Sequence, residues 1–182
     1  MRSWTHAALV LSCVFRTANG AGLRQDTLDG WHYSLPAKYL QRSQNQDPPG
    51  WPCREYTPGG KPSDDQLLEV CAGAWRATGS SDIVLDHPGM GREEGHWYGY
   101  GYGPRIPAKE LSSRPGFFGW EAVVLCGFSD PAGFHAAGGE SYGGFVVQDS
   151  SHVLTAEFSA LPLEQVPKRI LWVRQILLSA GR

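Results

Sequence analysis

Residues 144–158 read GFVVQDSSHVLTAEF, and this stretch decides the fold class. Two runs rich in β-branched and apolar residues flank Asp149, Ser150 and Ser151, small polar residues of the kind that reverse a chain. The spacing predicts a β-hairpin in which Leu154, Ala156 and Phe158 share one face, because side chains alternate along a strand. Further toward the N-terminus, Trp120 to Phe128 is apolar on both faces apart from Glu121, the pattern of a central strand covered on both sides, with Cys126 inside. Residues 96–103, HWYGYGYG, alternate large and absent side chains. Tyr98, Tyr100 and Tyr102 should therefore share one face, and Gly99, Gly101 and Gly103 should let another chain approach the opposite one. Ile83-Val84-Leu85 and Trp31-His32-Tyr33-Ser34-Leu35 read as shorter strands.

Two segments read as helix. Pro62-Ser63 is a start signal, Ser63 and Gln66 have capping-box spacing, and Asp64 and Asp65 suit a helix N-terminus. Leu67, Leu68, Cys71, Ala74 and Trp75 then fall on one stripe and Gly79 supplies a stop, which predicts a helix over 63–77. In the last segment Pro167 suits a first turn, and Ile170, Val173, Ile176, Leu177 and Ala180 recur at helical spacings, predicting a C-terminal helix over 167–180. The fold class expected is α+β, an antiparallel-rich sheet with these two helices.

At 182 residues, 41% hydrophobic and 19% charged, the chain has the size and composition of one globular domain. Its opening residues read as a secretory leader over 1–20. Arg2 and His6 precede the apolar run Ala7 to Phe15, and Ala18-Asn19-Gly20 is a small-x-small cleavage site. A competing reading takes Val10-Leu11-Ser12-Cys13 as a lipoprotein site, with Cys13 lipidated. The domain then spans 21–182, with a part over 21–61 expected to be loop-rich or extended. That part is rich in Gln, Asn, Gly and Pro, but Trp31, Tyr33, Tyr39, Trp51 and Tyr56 need somewhere to pack. The location expected is secreted or periplasmic. Without the leader, 14 basic residues stand against 18 acidic ones, a formal charge of −4 with His neutral. That balance gives no nucleic-acid footprint, and no apolar run is long enough for a membrane span.

Cys53, Cys71 and Cys126 would then remain in a compartment where disulfides form. The pairing expected is Cys53 with Cys71, one in a loop-rich segment that needs anchoring and the other on the adjacent helix. Spacing alone leaves the other pairings open.

Three constellations bear on function. Gly139, Ser141 and Gly143 fit G-x-S-x-G, and with Ser141 as nucleophile the order serine, acid, histidine can be completed only by Asp149 or a neighbour such as Glu140, and by His152, the last histidine. The approach, DPAGFHAAG, reads as a loop and the exit as a strand, the reverse of a nucleophile elbow. The motif therefore reads as a Gly-rich connection entering a hairpin. Asp86, His87, Glu93, Glu94 and His96 gather metal-ligating side chains, of which His87, Glu94 and His96 make an alternative metal loop. Their spacing follows no fixed ligand geometry, so no metal or other cofactor is expected. Tyr98, Tyr100, Tyr102 and the nearby Arg105 suit a recognition surface, since Tyr and Arg dominate protein interfaces. The function expected is an exported protein-binding domain of inhibitor or immunity type that blocks a partner protein. The alternatives are a small secreted hydrolase using Ser141 or the His87/His96 loop, and a carbohydrate- or peptide-binding module.

Overall fold

The computed structural model describes residues 22–46, 50–61, 67–75, 83–85, 89–99, 105–112, 114–130, 133–161 and 166–182. The expected leader, Cys13, the helix start at 63–66, His87, Tyr100 and Tyr102 lie outside the described residues.

A seven-stranded antiparallel sheet organises the chain. Its core is the hairpin of β12 (Gly133–Gln148) and β13 (His152–Leu161), which reverses at Asp149 and Ser150, both with positive φ. Leu154, Ala156 and Phe158 are fully buried in one cluster, as the alternation required. β11 (Phe117–Asp130) pairs along nearly all of β12, and β10 (Lys109–Glu110) closes that edge. On the other side of β13 lie β5 (Leu68–Ala74), β4 (Pro52–Pro58) and β3 (Tyr39–Gln46), giving the order β10-β11-β12-β13-β5-β4-β3.

One face of this sheet is covered by the C-terminal helix α1 (Val166–Ser179), close to the 167–180 expected, and by a hairpin of β1 (Leu23–Leu28) and β2 (Trp31–Pro36). Leu28, Trp31, Tyr33 and Leu35 pack there with Val173, Ile176 and Leu177. Two backbone hydrogen bonds between His32 and Gly181, of 2.8 and 3.0 Å, tie β2 to the chain end beyond α1. On the opposite face a small antiparallel sheet packs against β11. Its strands are β6 (Ile83–Leu85), β7 (Met90–Glu93), β8 (His96–Gly99) and β9 (Ile106–Pro107).

Three expectations are corrected. The helix expected over 63–77 is a strand where it is described. In β5, Leu68, Val70 and Ala72 face the main core, while Glu69, Cys71 and Gly73 face the other way. A nine-residue run from Leu67 to Trp75 satisfies both helical and alternating templates. Pairing with β4 on one side and β13 on the other decides it, through ladders and packing that a local stripe does not report. Gly73 also matters, since the Trp51 ring lies where a Cβ would be.

Second, the segment 21–61 is mainly paired extended backbone rather than loop. The Asp29-Gly30 dipeptide, at φ 49° and 82°, makes the two-residue turn of the first hairpin. Third, Ser141 is not in a connection. It lies within β12 opposite Val124, and the strand begins at Gly133, inside the stretch that composition assigned to a loop.

The expected disulfide is present. Cys53 and Cys71 are directly paired residues of β4 and β5, with Cα atoms 4.1 Å apart, and the bond joins the strands across 18 positions of sequence. It is compatible with an exported chain. Among the described residues no helix is long and apolar enough to cross a membrane.

Candidate functional site

The small sheet presents two different faces because β8 alternates. Trp97 is buried against the aromatic cluster on the large sheet, and Gly99 lies so close to β11 that a Cβ would collide with the Val123 carbonyl oxygen. Here the glycine performs the close approach expected of it. Tyr98, between them, points the other way and is part-exposed.

The register assembles the outer face around Tyr98. Its Cα partners are Gly91 on β7 and Pro107 on β9, and the neighbouring pair on that face is Glu93 with His96. Arg105, two residues before Pro107, is half-exposed and forms an ion pair with Glu93. The tight turn Glu94-Gly95, at φ 49° and 86°, reverses the chain between β7 and β8 and leaves Glu94 and His96 exposed. Two of the four expected binding residues, Tyr98 and Arg105, thus meet on one face, with an exposed proline and histidine beside them.

The serine set does not assemble. His152 pairs with Gln148, seven positions along β12 from Ser141, which is about 23 Å at ordinary strand rise. His152 Nδ1 instead lies 2.9 Å from Ser151 Oγ, and Asp149 is an exposed turn residue. The only described group with metal-ligand spacing is Cys53, Glu69 and Cys71, whose sulfurs are spent in the disulfide.

Sequence reasoning missed two other features. The first is an aromatic cluster on the same side as the small sheet. Phe145 stacks on Trp75 at 5.5 Å and meets Trp97 at 4.7 Å, while Phe118 makes an edge contact with Trp75 at 5.9 Å. Trp51, Trp75 and Trp120 are only partly buried at its margin. These residues come from β8, β11, β12 and the positions flanking β4 and β5, and they are brought together by register, so no local spacing announces them.

The second is a set of charged groups on the α1 side. Asp26 accepts from Arg54 at 2.7 Å, Arg24 at 3.0 Å and the Tyr56 hydroxyl at 3.1 Å, and Tyr56 is hydrogen-bonded to Tyr33 at 2.7 Å. Burial, with the neighbouring Tyr56 and Asp26, pushes Tyr33 far above the tyrosine range. Burial also raises Tyr56 and Tyr39. Burial alone would lower Arg54, but its hydrogen bond to Tyr56 and the Asp26 charge outweigh that and raise it. Glu121, the acid inside the apolar run, is 2% exposed and accepts from Arg174 of α1 at 2.6 Å. That bond raises Arg174 further, and burial followed by Glu121 raises Tyr142 beside the pair. Arg169 of α1 donates to the Tyr39 hydroxyl at 2.5 Å. These groups join the helix and the first hairpin to the sheet.

The chain matches no protein-family model and no curated protein.

Proposed function

We propose that this chain is an exported protein-binding domain of inhibitor or immunity type, which blocks a partner protein with the outer face of the β6–β9 sheet. The observation that carries the reading is the division of labour within β8. Trp97 and Gly99 dock the small sheet, while Tyr98 is turned outward beside the Arg105–Glu93 ion pair. A part-exposed tyrosine with a neighbouring arginine is the composition of an interface hot spot, where an aromatic supplies area at little entropic cost and a guanidinium supplies directed hydrogen bonds.

The test is chemical cross-linking in the exported fraction with wild type and with Tyr98→Ala/Arg105→Ala. A partner joined by the wild type and lost from the double variant at unchanged melting temperature supports the reading. A partner joined equally by both chains removes this face from the function.

A second reading, a carbohydrate- or peptide-binding module, is favoured by the partly buried Trp51, Trp75 and Trp120, since indole faces stack on sugar rings and peptide side chains. Quenching of tryptophan emission by soluble oligosaccharides, lost in Trp51→Ala, would move the function to that face.

A further inference from the structure

α1 is apolar on both sides. Val173, Ile176 and Leu177 bury its inner stripe against the sheet, yet Leu171 and Leu178 on its outer side are 62% and 45% exposed. Seven positions apart, they lie on one line about 10 Å long, with the part-exposed Gln175 between them. They are two of the four large apolar side chains exposed among the described residues. A third, Leu23, opens β1 of the hairpin that shares this face of the sheet. The charges around this line are mostly of one sign. From Val166 to Arg182 the chain has Lys168, Arg169, Arg174 and Arg182 and no acid. Exposed cations stand at both ends of the helix. Near its start Lys38 lies over the ring of Tyr39, whose hydroxyl accepts from Arg169. Beyond its end Arg114 donates to the Ala180 carbonyl oxygen at 3.5 Å, and the Arg182 guanidinium lies over Gly30. Of the described acids on this side, Asp26 is paired with Arg24 and Arg54, and Glu121 with Arg174. Asp29, exposed in the turn beside Arg182, subtracts one charge. On the opposite face Glu55, Glu69 and Glu157 stand in register across β4, β5 and β13. The large sheet thus separates a basic side from an acidic row.

We infer that the outer face of α1 docks on the surface of an anionic lipid bilayer, with Leu171 and Leu178 entering the boundary between headgroups and acyl chains and Lys38, Arg114 and Arg182 among the lipid phosphates. Both parts of the surface argue for that occupant. Exposed aliphatic side chains gain from an apolar phase, the cations at their two ends gain from anions, and a bilayer of acidic lipid offers the two as adjacent layers. At 14 residues, about 21 Å, the helix is too short to cross the hydrocarbon core and lies along its surface. This orientation turns the Glu55–Glu69–Glu157 row away from the anionic surface. It also leaves the Tyr98 face, on the far side of the large sheet, open to solution, so the inference is independent of that interface.

Co-sedimentation of the purified chain, with its disulfide intact, on lipid vesicles tests this. The wild type is expected to bind phosphatidylglycerol vesicles at low ionic strength, and phosphatidylcholine vesicles about tenfold less. Leu171→Gln/Leu178→Gln is expected to lower the affinity for phosphatidylglycerol about tenfold at unchanged melting temperature, because both side chains are already exposed. Lys38→Glu/Arg182→Glu is expected to abolish the preference between the two lipids. A wild type that stays in the supernatant with phosphatidylglycerol, or takes both lipids equally, overturns the inference. So does a leucine variant that binds like the wild type, or a charge variant that keeps the preference. A leucine-dependent dimer in sedimentation velocity, without vesicle binding, overturns it too and assigns the stripe to a second copy.

Discussion

The two faces of the large sheet are closed by opposite means. On the α1 side, apolar packing is accompanied by directed polar contacts. Arg174 meets Glu121, Arg169 meets Tyr39, and the Ser34 N–H donates to Ser179 Oγ at 2.8 Å. On the other side the closure is aromatic. Trp75, Trp97, Phe118 and Phe145 contact one another, and several rings stay partly in reach of solvent. Polar pairs fix one orientation of a helix on a sheet, because a slipped helix would strand Glu121 without its cation. Aromatic contacts tolerate small shifts and leave area for a partner. The difference teaches that directed polar pairs fix the geometry of the α1 side, whereas the β6–β9 side, which carries the proposed interface, is held by aromatic packing.

Four substitutions or conditions would break or sharpen that contrast. The largest effect is expected from Phe145→Ala, which removes the ring at the centre of the aromatic cluster and leaves a cavity among Trp75 and Trp97. A loss of about 4 kcal/mol in denaturant unfolding is expected, and a loss below about 1 kcal/mol would show that the cluster is not a core. Arg174→Ala, on the other face, leaves the Glu121 carboxylate buried without its cation and is expected to cost about 3 kcal/mol. Replacing the pair together, Glu121→Leu with Arg174→Met, should recover most of that loss. If the double variant is no better than the single, the polar contact is not what fixes the helix.

Alkaline pH separates the faces next. Burial holds Tyr33, Tyr39, Tyr56 and Tyr142 above the ordinary tyrosine range in the folded chain, whereas the unfolded chain releases those protons near pH 10. Their contribution is complete below about pH 10 and is lost as pH rises beyond it, at up to about 1.4 kcal/mol per pH unit for each tyrosine. All four lie on the α1 side, so the melting temperature should fall above pH 10 while tyrosinate absorbance at these positions appears only with unfolding. Tyrosinate formation before unfolding would show that the hydroxyl network is open to water. The smallest effect is expected from Tyr98→Ala, under about 1 kcal/mol in stability, because its side chain points away from the core. A loss of several kcal/mol would make Tyr98 a packing residue and remove it from the proposed interface.

How far each part was legible follows from the range of its causes. The β12–β13 hairpin is local, since alternation on both sides of Asp149-Ser150-Ser151 carries the register with it. The C-terminal helix is nearly as local, with a periodic stripe and a proline in its first turn. The Asp29-Gly30 and Glu94-Gly95 turns were also present as dipeptides, and the first carries the hairpin signal that the loop-rich reading of 21–61 overlooked. Half of the candidate site was legible too. Tyr98 was placed opposite the close-approaching Gly99 by period alone, but its pairing with Pro107 and the Arg105–Glu93 contact needed the register of separate strands.

By itself, then, the sequence determined what depends on neighbours along the chain: the alternation of each strand, the turn residues, the C-terminal stripe and an acid set inside an apolar run. Only the tertiary structure decided what depends on neighbours across it. Leu68–Ala74 became a strand because β4 and β13 flank it, Glu121 became a helix anchor because Arg174 reaches it, and Trp51, Trp75, Trp97 and Trp120 became one cluster because four separate segments of the chain bring them together. Local stripes hold their information within a few residues, whereas ladder pairing and burial are settled between segments far apart in the chain, where no spacing rule reaches.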